Sequence, residues 1–307
     1  MASVWILGPH VGYRRQARSL VIDTPQWRLS IADAPAALDL GLASLENGMA
    51  AVDSGLPRLL QQRLQQCDAL HSLPARPEGV DGFLDGFLAL CDSWALGVFA
   101  SPFWPRFMAG QATAGEVFGF LGQLYHRTAG ADLHNRCACE NCQLPALRPH
   151  LLRHYQEEQG HAAMIADGLR RCGAPGCQAV DTPALASTRR LIALMVSLSR
   201  WPAAYLGCYG IFHAPATIRD AAALRRQFAG FAQLYPFAAP GFDAVCRHAQ
   251  LDYRLGHEEI MLARWLREQG PPDGEFVLGA LRGARCAAAA FRAIFDELFT
   301  LRPQAAS

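Results

Sequence analysis

The sequence predicts an all-α fold, a helical bundle preceded by a small α+β extension, and three observations carry that prediction. From about residue 80 onward apolar residues recur with a helical period, with almost no strand signal. Ahead of that span lie two short β-compatible runs separated by turn formers. Two of the long helical stretches also carry histidines and carboxylates three and four residues apart, a spacing that puts them on one helical face.

The extension occupies residues 1–75. Ser19-Leu20-Val21-Ile22-Asp23 is a short apolar run. After Thr24-Pro25, the segment Gln26-Trp27-Arg28-Leu29-Ser30-Ile31 alternates as a half-buried strand does. Two helical stretches follow, 35–52 and 56–70. This strand-strand-helix-helix order is similar to the winged-helix-type peptide-recognition units of some peptide-modifying systems. An extension packed on the main domain accounts for the same pattern. The loop Leu73-Pro74-Ala75-Arg76-Pro77-Glu78-Gly79 leads into the main domain, 76–307.

There the periodicity predicts helices over 81–98, 113–133, 147–172, 183–213 with a break at Trp201-Pro202, 217–234, 241–269 and 275–301. Thr113 followed by Glu116 is a capping-box pattern, which makes Glu116 a helix-start residue rather than a ligand. Cys172-Gly173-Ala174-Pro175-Gly176 closes the third helix and Gly270-Pro271-Pro272 the sixth.

Composition narrows the function classes. With 51% hydrophobic and 18% charged residues, 307 residues bury a substantial core. A net charge of +1, with basic residues scattered, argues against a nucleic-acid partner. Every basic residue other than histidine is arginine, so lysine Schiff-base chemistry is excluded. No secretory pattern opens the chain, and the apolar stretch 82–104 is interrupted by Asp85 and Asp92. It therefore reads as a buried helix, and the protein as cytoplasmic with no membrane partner. The ten cysteines fit free thiols or metal ligands in a reducing compartment, with Cys91, Cys208, Cys246 and Cys286 in apolar core settings.

The chemistry concentrates in His154-Tyr155-Gln156-Glu157-Glu158-Gln159-Gly160-His161, echoed by His248-Ala249-Gln250-Leu251-Asp252. His154, Glu158 and His161 share one face, as do His248 and Asp252. Iron in a dry bundle needs about four to six oxygen and nitrogen ligands from several helices. Carboxylates neutralise the metal's charge and imidazoles bind as neutral donors. His213, ending the run Tyr205-Leu206-Gly207-Cys208-Tyr209-Gly210-Ile211-Phe212, is a ligand or a buried histidine bonded to a carbonyl. His126 is a further candidate, and Phe118, Tyr125, Tyr209 and Tyr253 are candidates to line a pocket or simply to pack.

The order of these features resembles the haem-oxygenase-like diiron oxidases and oxygenases, relatives of pyrroloquinoline quinone synthase and of the thiaminase-II group. The resemblance covers roughly residues 81–270. It runs through Ser101-Pro102-Phe103-Trp104, the 121–126 helix, His154 to His161, Pro202-Ala203-Ala204-Tyr205-Leu206-Gly207, and His248 with Asp252. It implies a seven-helix bundle holding two ferrous ions, Fe(II), that activates dioxygen to oxidise a small substrate. In this family those substrates are amino-acid-like or fatty acids.

Residue by residue, the resemblance implies that Glu158 and His161 are the Glu-x-x-His ligand pair and that His248 and Asp252 open a His-x3-Asp-x2-His element. His213 stands where a glutamate ligand is expected. Leu255 stands where that element's last histidine is expected, with His257 and Glu259 nearby as substitutes. On a continuous helix His257 lies about 140° from Asp252, so it serves only if the helix is locally rewound. One metal, two metals and a decayed site all stay open. A ferritin-like carboxylate bundle would want a second Glu-x-x-His, which the chain lacks.

Cys137-Ala138-Cys139-Glu140-Asn141-Cys142 reads as a polar loop, and Cys137, Cys139 and Cys142 form a partial zinc site there, closed by His134, or else are adventitious thiols. Altogether the sequence points to a non-haem iron oxidoreductase for which Glu158, His161, His248 and Asp252 are the catalytic set and His213 and His257 further metal candidates. Its partners would be dioxygen and a small-molecule, peptide or carrier-bound substrate of a biosynthetic pathway. A metal-independent oxidase or hydrolase of the same superfamily, and a non-catalytic metal-binding protein, are the alternatives. The sequence leaves open whether the chain is a monomer or a homodimer.

Overall fold

The computed structural model describes residues 3–50, 56–212, 221–256 and 260–301. The extension holds β1 (Ser3–Leu7), β2 (Gly12–Gln16), β3 (Ser19–Asp23), β4 (Arg28–Ile31), α1 (Ala37–Glu46), β5 (Met49–Ala50), α2 (Arg58–Gln66) and β6 (Leu70–Pro74). Its strands form two antiparallel sheets, ordered β5-β1-β6 and β2-β3-β4. The two strands read from the sequence are β3 and β4, paired so that Ile22 faces Leu29. β1, β2, β5 and β6 are not predicted from the sequence; β2 is mostly exposed and polar and becomes a strand only through its pairing with β3. The helix expected over 35–52 stops at Glu46, where Gly48 takes a left-handed turn (φ +68°) into β5.

Leu7, Leu20, Ile22, Leu42, Leu45 and Leu64 are fully buried in a core of the extension's own. β1 also reaches the bundle: Val4 and Ile6 join the larger core together with Leu73. Arg285 pins the junction, donating from Nε to the Leu7 carbonyl at 2.9 Å and pairing with Glu46 at 3.1 Å.

The bundle comprises α3 (Val80–Phe99), α4 (Phe103–Met108), α5 (Ala114–Asn141), α6 (Arg148–Glu158), α7 (His161–Arg170), α8 (Ala174–Asp181) and α9 (Ala186–Leu198). α10 (Pro202–Phe212), α11 (Ala221–Leu234), α12 (Ala239–Arg254), α13 (Met261–Gln269) and α14 (Gly274–Thr300) complete it. The Thr113 capping box forms as expected: Glu116 N–H donates to Thr113 Oγ1 at 3.2 Å, and Thr113 N–H donates to Glu116 Oε2 at 2.7 Å. α3 is long and apolar enough to cross a membrane by length and composition, but Phe83, Phe87 and Trp94 bury it in the core. Phe103, Trp104, Phe107, Phe120 and Phe295 form a contiguous aromatic cluster beside it.

Three expectations need correction. The helix read as 147–172 is two, α6 and α7, broken where Gly160 adopts φ +87°. The helix read as 241–269 is also two. α12 ends at Arg254, with Leu255 as its cap and Gly256 at φ +75°, so it does not continue to His257 as the 140° placement requires; His257 and Glu259 lie outside the described residues. Finally, α5 continues to Asn141, because no glycine or proline interrupts 131–141; the cysteine segment is helical, not a loop.

Candidate metal centre

α7 and α12 pack closely enough to bring their polar side chains together. A Cβ added at Gly168 would lie 2.2 Å from Ala244 Cβ and 2.9 Å from the Pro240 carbonyl. The break at Gly160 leaves Glu158 as the last residue of α6 and His161 as the first of α7. Both are buried, and His161 Nδ1 lies 3.3 Å from Glu158 Oε2. From α12, Asp252 reaches both imidazoles, its oxygens 3.5 Å from His161 Nδ1 and 3.3 Å from His248 Nδ1. The His161 and His248 rings stand edge to face, 4.8 Å between centroids. One turn back on α6, His154 Nε2 is 4.0 Å from Glu158 Oε1.

Glu158, His161 and His248 each offer one ligand atom, and the three atoms fall within 4.8 Å of one another, the one such group among the described residues. His248 Nε2 is buried and makes no hydrogen bond to any described residue, while its Nδ1 faces Asp252. That is the arrangement of an imidazole held by a carboxylate behind it and offering its other nitrogen forward. Burial holds His248 below the usual histidine range, although Asp252 and Glu158 pull the other way, so it is poised as a neutral donor. A buried carboxylate, two imidazoles and a supporting aspartate suit a borderline divalent ion such as iron. The residues present fit that ion.

Beside the cluster lies a cavity of about 200 Å³. His154, Glu158, His248 and Asp252 line it together with the aliphatic Leu191, Ile192 and Met195 of α9. Tyr209 and Tyr253 also line it, whereas Phe118 packs against Phe237 and Tyr125 against His126. His126 is turned away, its Nε2 2.7 Å from the Thr182 carbonyl. His213 lies outside the described residues.

Several residues around the cavity were not read from the sequence. Arg127, Thr128, Ala131, His134 and Asn135 lie three to four residues apart on α5 and line it together. Asn135 Oδ1 accepts hydrogen bonds from Tyr205 and Tyr209, each 2.6 Å long. The two hydroxyls lie 3.1 Å apart, and His134 Nδ1 lies 2.9 Å from that of Tyr205, so His134 is tied into the same network. Burial drives His134 down to about 4, against a smaller upward pull from Glu158.

This has a consequence for stability. The unfolded chain protonates His134 near the ordinary histidine value of 6.5, the folded chain only near 4, so acid favours unfolding. Between those pH values the metal-free protein is expected to lose about 3 kcal/mol from this group. The loss is absent above the unfolded value and complete below the folded one. Urea titrations across the window should show the slope, and His134→Gln should flatten it.

The zinc expectation does not survive the helical geometry. Cys137 and Cys139, two residues apart on α5, point roughly 160° apart around its axis. Cys142 donates to the Leu144 carbonyl, and burial pushes the Cys139 thiol up, away from the thiolate a metal needs. His134, the fourth ligand considered, is engaged by Tyr205.

No protein-family model matches the chain, and no curated protein does. Solved structures do. The chain is similar to a domain of unknown function with a haem-oxygenase-like fold from Shewanella denitrificans OS217, with a TM-score of 0.58 and 18% identity over 71% of this chain and 90% of that one. The chain thus has a haem-oxygenase-like helical fold, to which a small N-terminal α+β extension is joined.

Proposed function

We propose that the protein is a non-haem iron oxidoreductase that uses dioxygen to oxidise a small amino-acid-like, peptide or carrier-bound substrate in a biosynthetic pathway. The convergence of Glu158, His161 and His248 beside a cavity that Glu158 and His248 help to line supports this reading. Those three residues would hold the iron, with Asp252 as ligand or as the group orienting His248 and His161. Bound there, ferrous iron would supply the dioxygen activation that side chains alone do not. The chain's own part is to orient and to exclude water. Leu191, Ile192 and Met195 give the cavity an apolar lining, and hydrogen bonds with Tyr205 hold the lining residues Asn135 and Tyr209 in place. Residues 1–75 we read as an accessory module beside the catalytic domain, 76–307. Its sheet leaves β4 paired on one side only, by β3, among the described residues, an edge suited to strand addition by a carrier or leader peptide.

Protein reconstituted anaerobically with ferrous iron should consume dioxygen on mixing and develop an optical change that the metal-free protein lacks. Dioxygen uptake by the metal-free form at the same rate would instead favour a cofactor-independent oxidase.

A further inference from the structure

Arg127 has no role in holding the iron, yet it sits in the same cavity. Its guanidinium packs over two rings, 5.0 Å from the centroid of Phe291 and 5.8 Å from that of Phe212. Stacking of this kind fixes the plane of the head group and leaves its N–H edge available. Among the described residues it makes no hydrogen bond and no ion pair, although Asp252 and Glu158 lie near enough to be felt as charges. Burial disfavours its charge, but an arginine stays protonated, so it stands as a cation beside open volume.

The charges around the cavity sharpen the point. Glu158 and Asp252 carry two negative charges between them, enough to balance one divalent ion. With iron in place both carboxylates are balanced by the metal, and no other acidic side chain among the described residues lines the cavity with Arg127. The cavity, about 200 Å³, has room for a small organic ligand, and Leu191, Ile192 and Met195 give it an aliphatic lining.

We propose that Arg127 is the docking residue for a carboxylate on the substrate, so that the ligand is a small organic acid, or the acidic end of a larger molecule, with an apolar body against Leu191 and Met195. The guanidinium fork receives the carboxylate, and the apolar walls receive the rest. This rests on the iron-site reading for what happens to the acid afterwards, but not for its binding. Arg127 is here a binding residue.

Calorimetric titration separates the two questions, using hexanoate, its neutral isostere hexanamide and hexyl phosphate as probes. Metal-free and ferrous-loaded wild type and Arg127→Met are titrated, and iron content is measured on the same samples. Hexanoate should bind metal-free wild type about 10- to 100-fold more tightly than hexanamide, the range of a charge-assisted hydrogen-bonded pair. Arg127→Met should reduce that preference to within about threefold while keeping the wild-type iron content, and Arg127→Lys should retain part of it. Equal binding of acid and amide, a preference that survives Arg127→Met, or no binding of either probe by wild type would overturn the proposal. Tighter binding of hexyl phosphate than of hexanoate would overturn the assignment to a carboxylate. Failure of wild type to take up iron sinks the oxidoreductase reading alone, because the acid preference is read on metal-free protein.

Discussion

Alanine in place of Glu158, and separately in place of His248, is expected to strip the protein of iron while leaving the bundle folded. Glu158 is the buried carboxylate of the cluster, and His248 supplies a buried nitrogen that no described residue uses. Losing an outer-shell partner already costs about 10- to 100-fold in metal affinity, so losing a ligand should cost at least about 100-fold. Asp252→Asn keeps the shape of the supporting group but not its charge, and should weaken iron binding by about tenfold if Asp252 acts through the imidazoles. The metal-free variants should melt within a few degrees of wild type, because each replacement removes a buried ionisable group rather than core volume. Iron content by elemental analysis after anaerobic reconstitution and desalting reads all three. Full iron occupancy in both alanine variants would show that the metal, if any, sits elsewhere.

The second large effect concerns the scaffold. α10 and α14 touch backbone to backbone: a Cβ at Gly283 would lie 1.8 Å from the Ala204 carbonyl oxygen, and one at Gly207 would lie 2.1 Å from that of Ala280. Neither neighbour can yield as a flexible side chain would. Gly283→Ala must therefore push the helices apart, and α10 carries Tyr209, which lines the cavity, and Tyr205, which is bonded to Asn135 behind it. A loss of about 3 kcal/mol or more is expected, at the top of the range for overpacking. Gly230→Ala on α11, where the added methyl meets nothing within 4 Å, should instead stabilise by about 0.5–1 kcal/mol. Paired denaturant melts of the two variants give the comparison. Similar stabilities for both would contradict the close contact of α10 with α14.

What was legible in the sequence was what is local. The helices announced themselves by period and punctuation, and Thr113 with Glu116 forms the capping box that its spacing implied. Glu158 and His161, three positions apart, do meet, but across the turn at Gly160 that joins α6 to α7 and not on one continuous helix. The echo at His248 and Asp252 then located the partner helix. Non-local features were not legible. β2 is a strand because β3 is its neighbour, and α12 ends early because Gly256 turns left-handed where the apolar period would have continued. The cysteine run looked like a loop because it is polar and short, yet nothing in it breaks a helix. Arg127 went unread because single residues carry no motif. The signal was there, in a stripe of Arg127, Thr128, Ala131, His134 and Asn135 on one face of an otherwise core-forming helix.

The account turns on whether iron lies between α6, α7 and α12. Crystals of the protein reconstituted with ferrous iron under anaerobic conditions, measured on both sides of the iron absorption edge, answer this directly. An anomalous peak is expected within bonding distance of the Glu158 carboxylate, the His161 ring and His248 Nε2. A peak confined to the cysteines of α5 or to the molecular surface, or no peak in fully loaded protein, would contradict it.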